Sequence, residues 1–570
     1  MENTNFFESS KLIVQNFLNN VITVDDQLSF GPSEVKIEAI ESFEDFDLAA
    51  NDSGLGVVAA PVVQAAPQLH PLDYQELSIS FSNKGINCCA YRPDINRDKN
   101  LDTAAERIMQ SSKNTDITIL DWQMDDKFVN ENGISQADGS LAISSIRKIL
   151  SHDKLQYGRL RLIIIYTGVP DLNPISDKIH QALLSDGYKA SSIDNNIKFD
   201  NDELKFCHIQ VIEKQENADK LTEQAIDLFT NLTIGLLSNA TLSAISALRN
   251  KTHHILHTFN KNLDPAYFSH ILGLMSSPKV RENAHEIAFD YAAELISEEI
   301  KSIIQINNPI KHCLEKERID SWIDYIREED TDFFKIKVGD NPTVDISPVR
   351  VKKLLNATTT PQIKEILLEE PAIIPAQSKP QDVYETHRIE FKVKGWGDDC
   401  HEQLSIIECK RRDGLSLNNE PYEPNIKLGS IIKDVNENYY VCLQPLCDSV
   451  RLKSPTGFIF LKAEVVIAEK GKFTHVIRTK QGEKIKLIIR PKATNIFKFI
   501  LKPDLSTKTV KCIQIENNYL VEYQNENNKI EDLTWLGELK NNVAQAIANN
   551  LASNISRVGL DTNEWLRLSS

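Results

Sequence analysis

Asp116-Ile117-Thr118-Ile119-Leu120-Asp121 is an apolar run that closes on a carboxylate, and its reading decides the fold. An unbroken series of β-branched and aliphatic residues is the pattern of a strand buried on both faces of a parallel sheet. Three more stretches read the same way. Val21-Ile22-Thr23-Val24-Asp25-Asp26 ends in two acids, Leu162-Ile163-Ile164-Ile165-Tyr166-Thr167 in a hydroxyl, and Cys207-His208-Ile209-Gln210-Val211-Ile212-Glu213-Lys214 in an amine. In open α/β sheets ligands sit beyond the carboxyl ends of the strands. Three acids, a hydroxyl and a lysine are therefore expected at one edge of one sheet.

Carboxylates crowded together raise one another's pKa unless a cation intervenes. A hard divalent ion such as Mg2+ resolves the conflict, taking one or two carboxylates, a carbonyl and waters. A carboxylate in such a place can also attack phosphorus and form an acyl phosphate. A lysine and the metal would neutralise the transferring phosphoryl group, and a hydroxyl would sense it. Taken singly, each residue has a plain structural use: an aspartate caps a helix, Thr167-Gly168 makes a turn, and Lys214 sits on the surface. Their joint placement at successive strand ends favours the chemical reading.

The order Asp-Asp, Asp, Thr, Lys at strand ends resembles the receiver domain of two-component response regulators, over roughly residues 10–230. The resemblance implies a flavodoxin-like, doubly wound parallel sheet of five strands. It makes Asp121 the phosphoacceptor, and Asp25 and Asp26 the metal acids with the backbone carbonyl of Gln123. Thr167 becomes the switch hydroxyl and Lys214 the phosphate partner. Two departures stand out. Receivers follow the acceptor with a Met-Pro pair, whereas here the sequence is Met124-Asp125-Asp126. Receivers also pass directly from the acid pair into a helix. Here residues 31–72 intervene, rich in Ala, Gly and Pro, and read as a flexible insertion.

At 570 residues the chain needs several domains. Its formal net charge of −17 argues against a broad nucleic-acid-binding face. The nine cysteines include no CxxC pair, so neither a zinc site nor a disulfide framework is indicated, and a reducing cytoplasm is expected. No secretory signal is seen at Met1–Phe7. The uncharged stretch Leu228–Leu248 approaches membrane-span length, but its many Thr, Ser and Asn residues mark a buried or interface helix. The expected organisation is multidomain α/β + α + β. A receiver at 1–215 precedes a helical domain at 216–368 and a linker at 369–384. A mainly β domain then covers 385–535, a barrel or curled sheet, with C-terminal helices at 536–570. The helical domain suits signal transmission or a homodimer as well as packing within one copy.

Within the β domain, Asp398-Asp399 precedes Gln403–Cys409, read as a strand, and Glu408-Cys409-Lys410. Metal-dependent nucleases place an Asp and a Glu-x-Lys on adjoining strands, so a receiver-gated nuclease is one alternative. A receiver-like scaffold that never carries phosphate is another. The layout also resembles the receiver proteins of the Detocs anti-phage two-component system, and most closely the phosphate-sink member that lacks an effector. The reading that results is a cytoplasmic, non-enzymatic response regulator in bacterial antiviral defence. Its cofactor is Mg2+, its phosphodonor a cognate histidine kinase, and a sister response regulator of the same operon is a further partner. Membrane and nucleic acid are not expected partners.

Overall fold

In a computed structural model the chain is described at residues 6–28, 73–98, 100–124, 139–156, 158–201, 203–215, 217–278, 280–326, 334–339, 341–369, 372–376, 389–397, 400–411, 423–467, 473–479, 483–516, 518–524 and 529–556. The 31–72 insertion, Asp125, Asp126, Asp398, Asp399, most of the 369–384 linker and the segment 557–570 lie outside these residues. The chain divides into two compact units. One comprises Met1–His254 with Ile300–Glu328, the other Ile255–Glu299 with Glu329–Ser570. Residues 216–368, read as one helical domain, are thus shared between the two.

The first unit is built on the four apolar runs. Helix α1 (Phe6–Phe17) leads into β1 (Asn20–Val24), followed by α2 (Tyr74–Asn83), β2 (Asn87–Tyr91), α3 (Ile95–Asp98) and α4 (Leu101–Ser112). Next come β3 (Ile117–Asp121), α5 (Ser140–Leu155), β4 (Arg161–Thr167), α6 (Asn173–Ser185), β5 (Ala190–Ile193), β6 (Asn196–Phe199) and β7 (Cys207–Glu213). Strands β3 and β4 are buried throughout, which is why their sequences show no alternation. Asp73, Asn100 and Asn217 cap α2, α4 and the next helix, α7 (Ala218–Thr233), by accepting from backbone N–H groups.

The sheet order is β2-β1-β3-β4-β7-β6-β5, with β1, β2, β3, β4 and β7 parallel. The expected sheet of five strands is therefore corrected to seven. After α6 the chain turns at Asp194 and Asn195, both with positive φ, and makes the hairpin β5–β6. That backbone is the turn of a two-residue hairpin, and β6 covers the edge of β7 antiparallel. One face of the sheet packs Val24, Leu120, Ile163 and Ile165 against α4, α5 and α6. The other packs Val21, Ile119, Ile164 and Ile212 against α1, α2 and α7. Helix α8 (Leu236–Asn250) follows α7 at a bend of 119°, so the uncharged 228–248 stretch is two helices. Among the described residues no single helix is long and apolar enough to cross a membrane. The unit also holds α12 (Asn308–His312) and α13 (Lys316–Ile326), which pack against α1 and α8.

The second unit contains α9 (Thr252–Thr258, which the division crosses near its start), α10 (Asp264–Ser276) and most of α11 (Ala284–Ile306). A three-stranded antiparallel sheet joins β8 (Phe334–Val338), β9 (Val344–Ile346) and β10 (Ile389–Val393), with α14 (Pro348–Asn356) and α15 (Thr360–Leu368) between. Farther on, a barrel is built from β11 (Ser430–Lys433), β12 (Tyr439–Cys442), β13 (Thr456–Val465), β14 (Ile496–Leu501), β15 (Asn518–Gln524) and β16 (Ile530–Leu539), paired in that order and closed by β16 on β11. Its interior is filled by Tyr440, Phe458, Phe460, Phe499, Tyr519 and Trp535. Residues 403–409, expected as a strand, belong instead to a helix, Cys400–Cys409. Glu408 therefore lies on a helix rather than in the strand that the nuclease reading requires. Lys410 opens a two-residue strand, and its Nζ donates to the Arg478 carbonyl at 2.8 Å.

Candidate functional site

The parallel register brings the polar residues that end the strands to one edge. Val24 lies beside Leu120, Asp121 beside Tyr166, and Thr167 beside Glu213. Asp25 and Asp26 follow β1 directly, Asp121 is the last residue of β3, and Lys214 the first after β7. Lys214 N donates to the Thr167 carbonyl at 2.7 Å, which ties the turn after β7 to the end of β4.

Asp25, Asp26 and Asp121 are all buried, and one carboxylate oxygen from each falls within 4.8 Å of the others. Lys214 Nζ stands 3.1 Å from Asp121 Oδ1 and 3.4 Å from Asp25 Oδ2. Asp25 Oδ1 also accepts from Gln27 N at 2.7 Å. Burial pushes the Asp121 carboxyl up to about 6; the ammonium of Lys214 opposes that rise, and the charges of Asp25 and Asp26 add to it. Burial alone would lower the Lys214 ammonium, but the carboxylates of Asp121 and Asp25 outweigh it and raise it.

Three carboxylates against one ammonium leave two formal negative charges in a nearly closed space. An all-oxygen donor set with that balance fits a hard divalent cation. Asp25, Asp26 and Asp121 are the side chains that would hold it. Gln123 is exposed on the loop just past β3, two residues beyond the acid. Thr167 is fully buried at the end of β4, and its Oγ1 accepts from Val169 N at 3.2 Å. The three acids thus lie together with Lys214 reaching Asp121 and Asp25, while the hydroxyl of Thr167 is engaged with its own turn.

Two residues the strand-end pattern did not single out support the site. Tyr166 presents its ring to Lys214 Nζ, 5.9 Å from the centroid, and its hydroxyl accepts from Gln215 N at 2.7 Å. Trp122, directly after Asp121, is buried against Gly139, where a Cβ would stand 2.2 Å from the indole. Gly139 has φ +79°, so both its backbone and its missing side chain are required there. The signal available in sequence was faint: a tryptophan beside the acid, and a glycine before the next helical run.

A doubly wound α/β domain with buried acids and a lysine at the strand ends is the class that this fold and site define. Residues 17–219 match the family model of the response receiver domain, and this part of the chain is a receiver domain. No curated protein and no solved structure gives a significant match to the chain.

Proposed function

We propose that the chain is a response regulator that accepts a phosphoryl group from a histidine kinase onto Asp121, with Mg2+ as cofactor. The observation that carries this is the cluster of Asp25, Asp26 and Asp121 around Lys214, inside a span matching the receiver family. In the transfer, a carboxylate oxygen of Asp121 attacks phosphorus. The P–N bond to the donor imidazole breaks and its electron pair stays on the nitrogen, while a P–O bond forms an acyl phosphate. The bound cation would neutralise charge on the phosphoryl oxygens. Lys214, now paired with the Asp121 carboxylate, would follow the negative charge onto the phosphoryl group. Thr167, one residue along β4 from the neighbour of Asp121, would supply the hydroxyl that senses it, exchanging its bond from Val169 N.

Finer parts of the reading rest on the layout of the chain. They are a phosphate-buffering or signalling role in antiviral defence, a sister regulator as partner, a homodimer, a cytoplasmic location and the absence of an effector enzyme. The nuclease alternative finds no support in the helix at Cys400–Cys409. The decisive experiment incubates the protein and Asp121→Asn with Mg2+ and a radiolabelled histidine kinase. Hydroxylamine-sensitive label is expected on the wild type alone. Label persisting on the variant removes Asp121 as acceptor. No transfer from an active kinase leaves the scaffold reading.

A further inference from the structure

Helix α10 carries a core-like sequence on the surface of the second unit. From Pro265 to Ser276 it holds no Asp, Glu, Lys or Arg, in a chain that is 25% charged. Its apolar residues run around the helix rather than along one face, a composition that belongs to a helix covered on all sides. Yet none of its residues is buried. One side has a neighbour. The rings of His270 on α10 and Tyr291 on α11 lie 4.8 Å apart, at similar distances from the intervening turn, so α11 folds back alongside α10. The other side, Phe268, Leu272 and Met275 at i, i+4 and i+7, faces solvent.

Helix α11 repeats the pattern. Ala284 and Ala288 are buried, while Phe289 and Ile296, seven residues apart, are exposed, and Leu295 is exposed beside them. Six large apolar side chains of one helical hairpin are thus between 40 and 67 % exposed. At about 180 Å² for a large side chain, they leave about 500 Å² of apolar surface in water. Homodimer interfaces are about 65% apolar, so that surface corresponds to about 800 Å² per partner. This is the size of a standard stable interface.

The pattern also selects the occupant. Transient partners meet surfaces no more apolar than average, whereas a charge-free stripe is the mark of an interface between identical subunits. Glu286, Asp290, Glu294 and Glu298 recur at every fourth position on another side of α11. They would repel an anionic membrane surface. Two identical hairpins, by contrast, cover one another's apolar stripes as a four-helix bundle about a twofold axis and leave the acids in water. We propose that α10 and α11 are the dimerisation element of this chain, two copies packing Phe268, Leu272, Met275, Phe289 and Ile296 against their counterparts. This gives the homodimer of the functional reading its surface. It is independent of phosphate reaching Asp121, so neither result decides the other.

The test is sedimentation velocity of the full chain up to about 100 μM, where a dimer is expected. Phe268→Glu combined with Phe289→Glu should weaken association about 100-fold or more, with helix content unchanged by circular dichroism. Leu505→Glu, at an equally exposed apolar residue elsewhere in the second unit, should leave the dimer intact. Hydrogen exchange on the unmodified protein gives a readout free of variants: dilution should speed exchange across α10 and α11. A wild type that stays monomeric overturns the proposal, as does a dimer that survives the double charge variant. Exchange that responds to dilution only in other segments overturns it too. So does capture by phosphatidylcholine vesicles that the double variant abolishes, which would make the hairpin a membrane-surface element.

Discussion

At the start of β4, Arg161 and Asp153 are both fully buried, yet every nitrogen of the guanidinium is used. Nε and a terminal nitrogen reach the two Asp153 oxygens at 2.6 and 3.1 Å, and the other terminal nitrogen donates to the Ser112 carbonyl at 2.7 Å. At the far end of the same strands three buried carboxylates share one ammonium. One end of the sheet is electrically closed and the other is left with two negative charges in excess. Closure makes the pair at the amino ends a structural lock. Imbalance makes the cluster at the carboxyl ends receptive to a cation. Buried charge alone thus does not mark a functional site; buried charge without its counter-charge does.

Breaking the closed end should produce the largest effect. Arg161→Leu leaves Asp153 buried without a guanidinium and is expected to lower unfolding free energy by about 3–5 kcal/mol. Asp153→Leu combined with Arg161→Leu should recover most of that loss in urea unfolding. If the double variant is as damaged as the single one, packing rather than charge holds this end.

Next in size is closing the open end with its cation. Mg2+ at about one hundred times its dissociation constant should stabilise the protein by about 2.7 kcal/mol, read as a shift in unfolding midpoint. The effect should fade as pH falls through about 6, because Asp121 then takes up a proton and no longer offers a full carboxylate. Stabilisation that is undiminished at pH 5 would place the cation elsewhere.

Removing the imbalance by mutation comes third. The folded Asp121 carboxyl sits near 6, above its ordinary value of 3.8. The native state therefore holds the proton more tightly than the unfolded chain does. The metal-free protein should lose stability as pH rises from about 4 to about 6 and stay at the lower level above that. Asp121→Asn, lacking the charge, should flatten this dependence and raise metal-free stability at pH 7.5 by on the order of 2 kcal/mol, while losing the response to Mg2+. A variant less stable than wild type at that pH would mean that the ammonium of Lys214 already compensates the cluster.

Much of this was legible in the chain because parallel strands buried on both faces must be continuous apolar runs. Asp25, Asp26, Asp121 and Lys214 stand immediately at or after such runs, so the strand geometry itself delivers them to one edge. The hairpin β5–β6 was not legible. Ala190-Ser191-Ser192-Ile193 is a short, half-exposed edge strand, and its pairing rests on a turn of two residues at positive φ rather than on hydrophobic pattern. Gln403–Cys409 misled for the opposite reason. Ile406-Ile407 carries β-strand character, but the helix is partly exposed and shows no clear apolar stripe. Arg161 looks in sequence like an ordinary polar residue before a strand, because its partner Asp153 lies in the preceding helix and meets it only on folding.

Tyr166 offers the finest test of how far the open end depends on its surroundings. Its ring lies beside Lys214, and its hydroxyl accepts from Gln215 N at 2.7 Å and donates to the Gln215 carbonyl at 3.2 Å. The phenol thereby pins the residue that follows the lysine, so its effect on the ammonium is exerted through the backbone. Tyr166→Phe keeps the ring and loses both hydrogen bonds. The expected stability loss is about 1 kcal/mol, smaller than any change above. Burial raises the phenol pKa, so the neutral form is the one that makes these bonds across the working pH range. If the tyrosine acts only by holding the turn, the variant should accept label from the kinase to the same final extent as wild type but more slowly. An unchanged rate together with the stability loss would show that β4 and β7 position Lys214 without it.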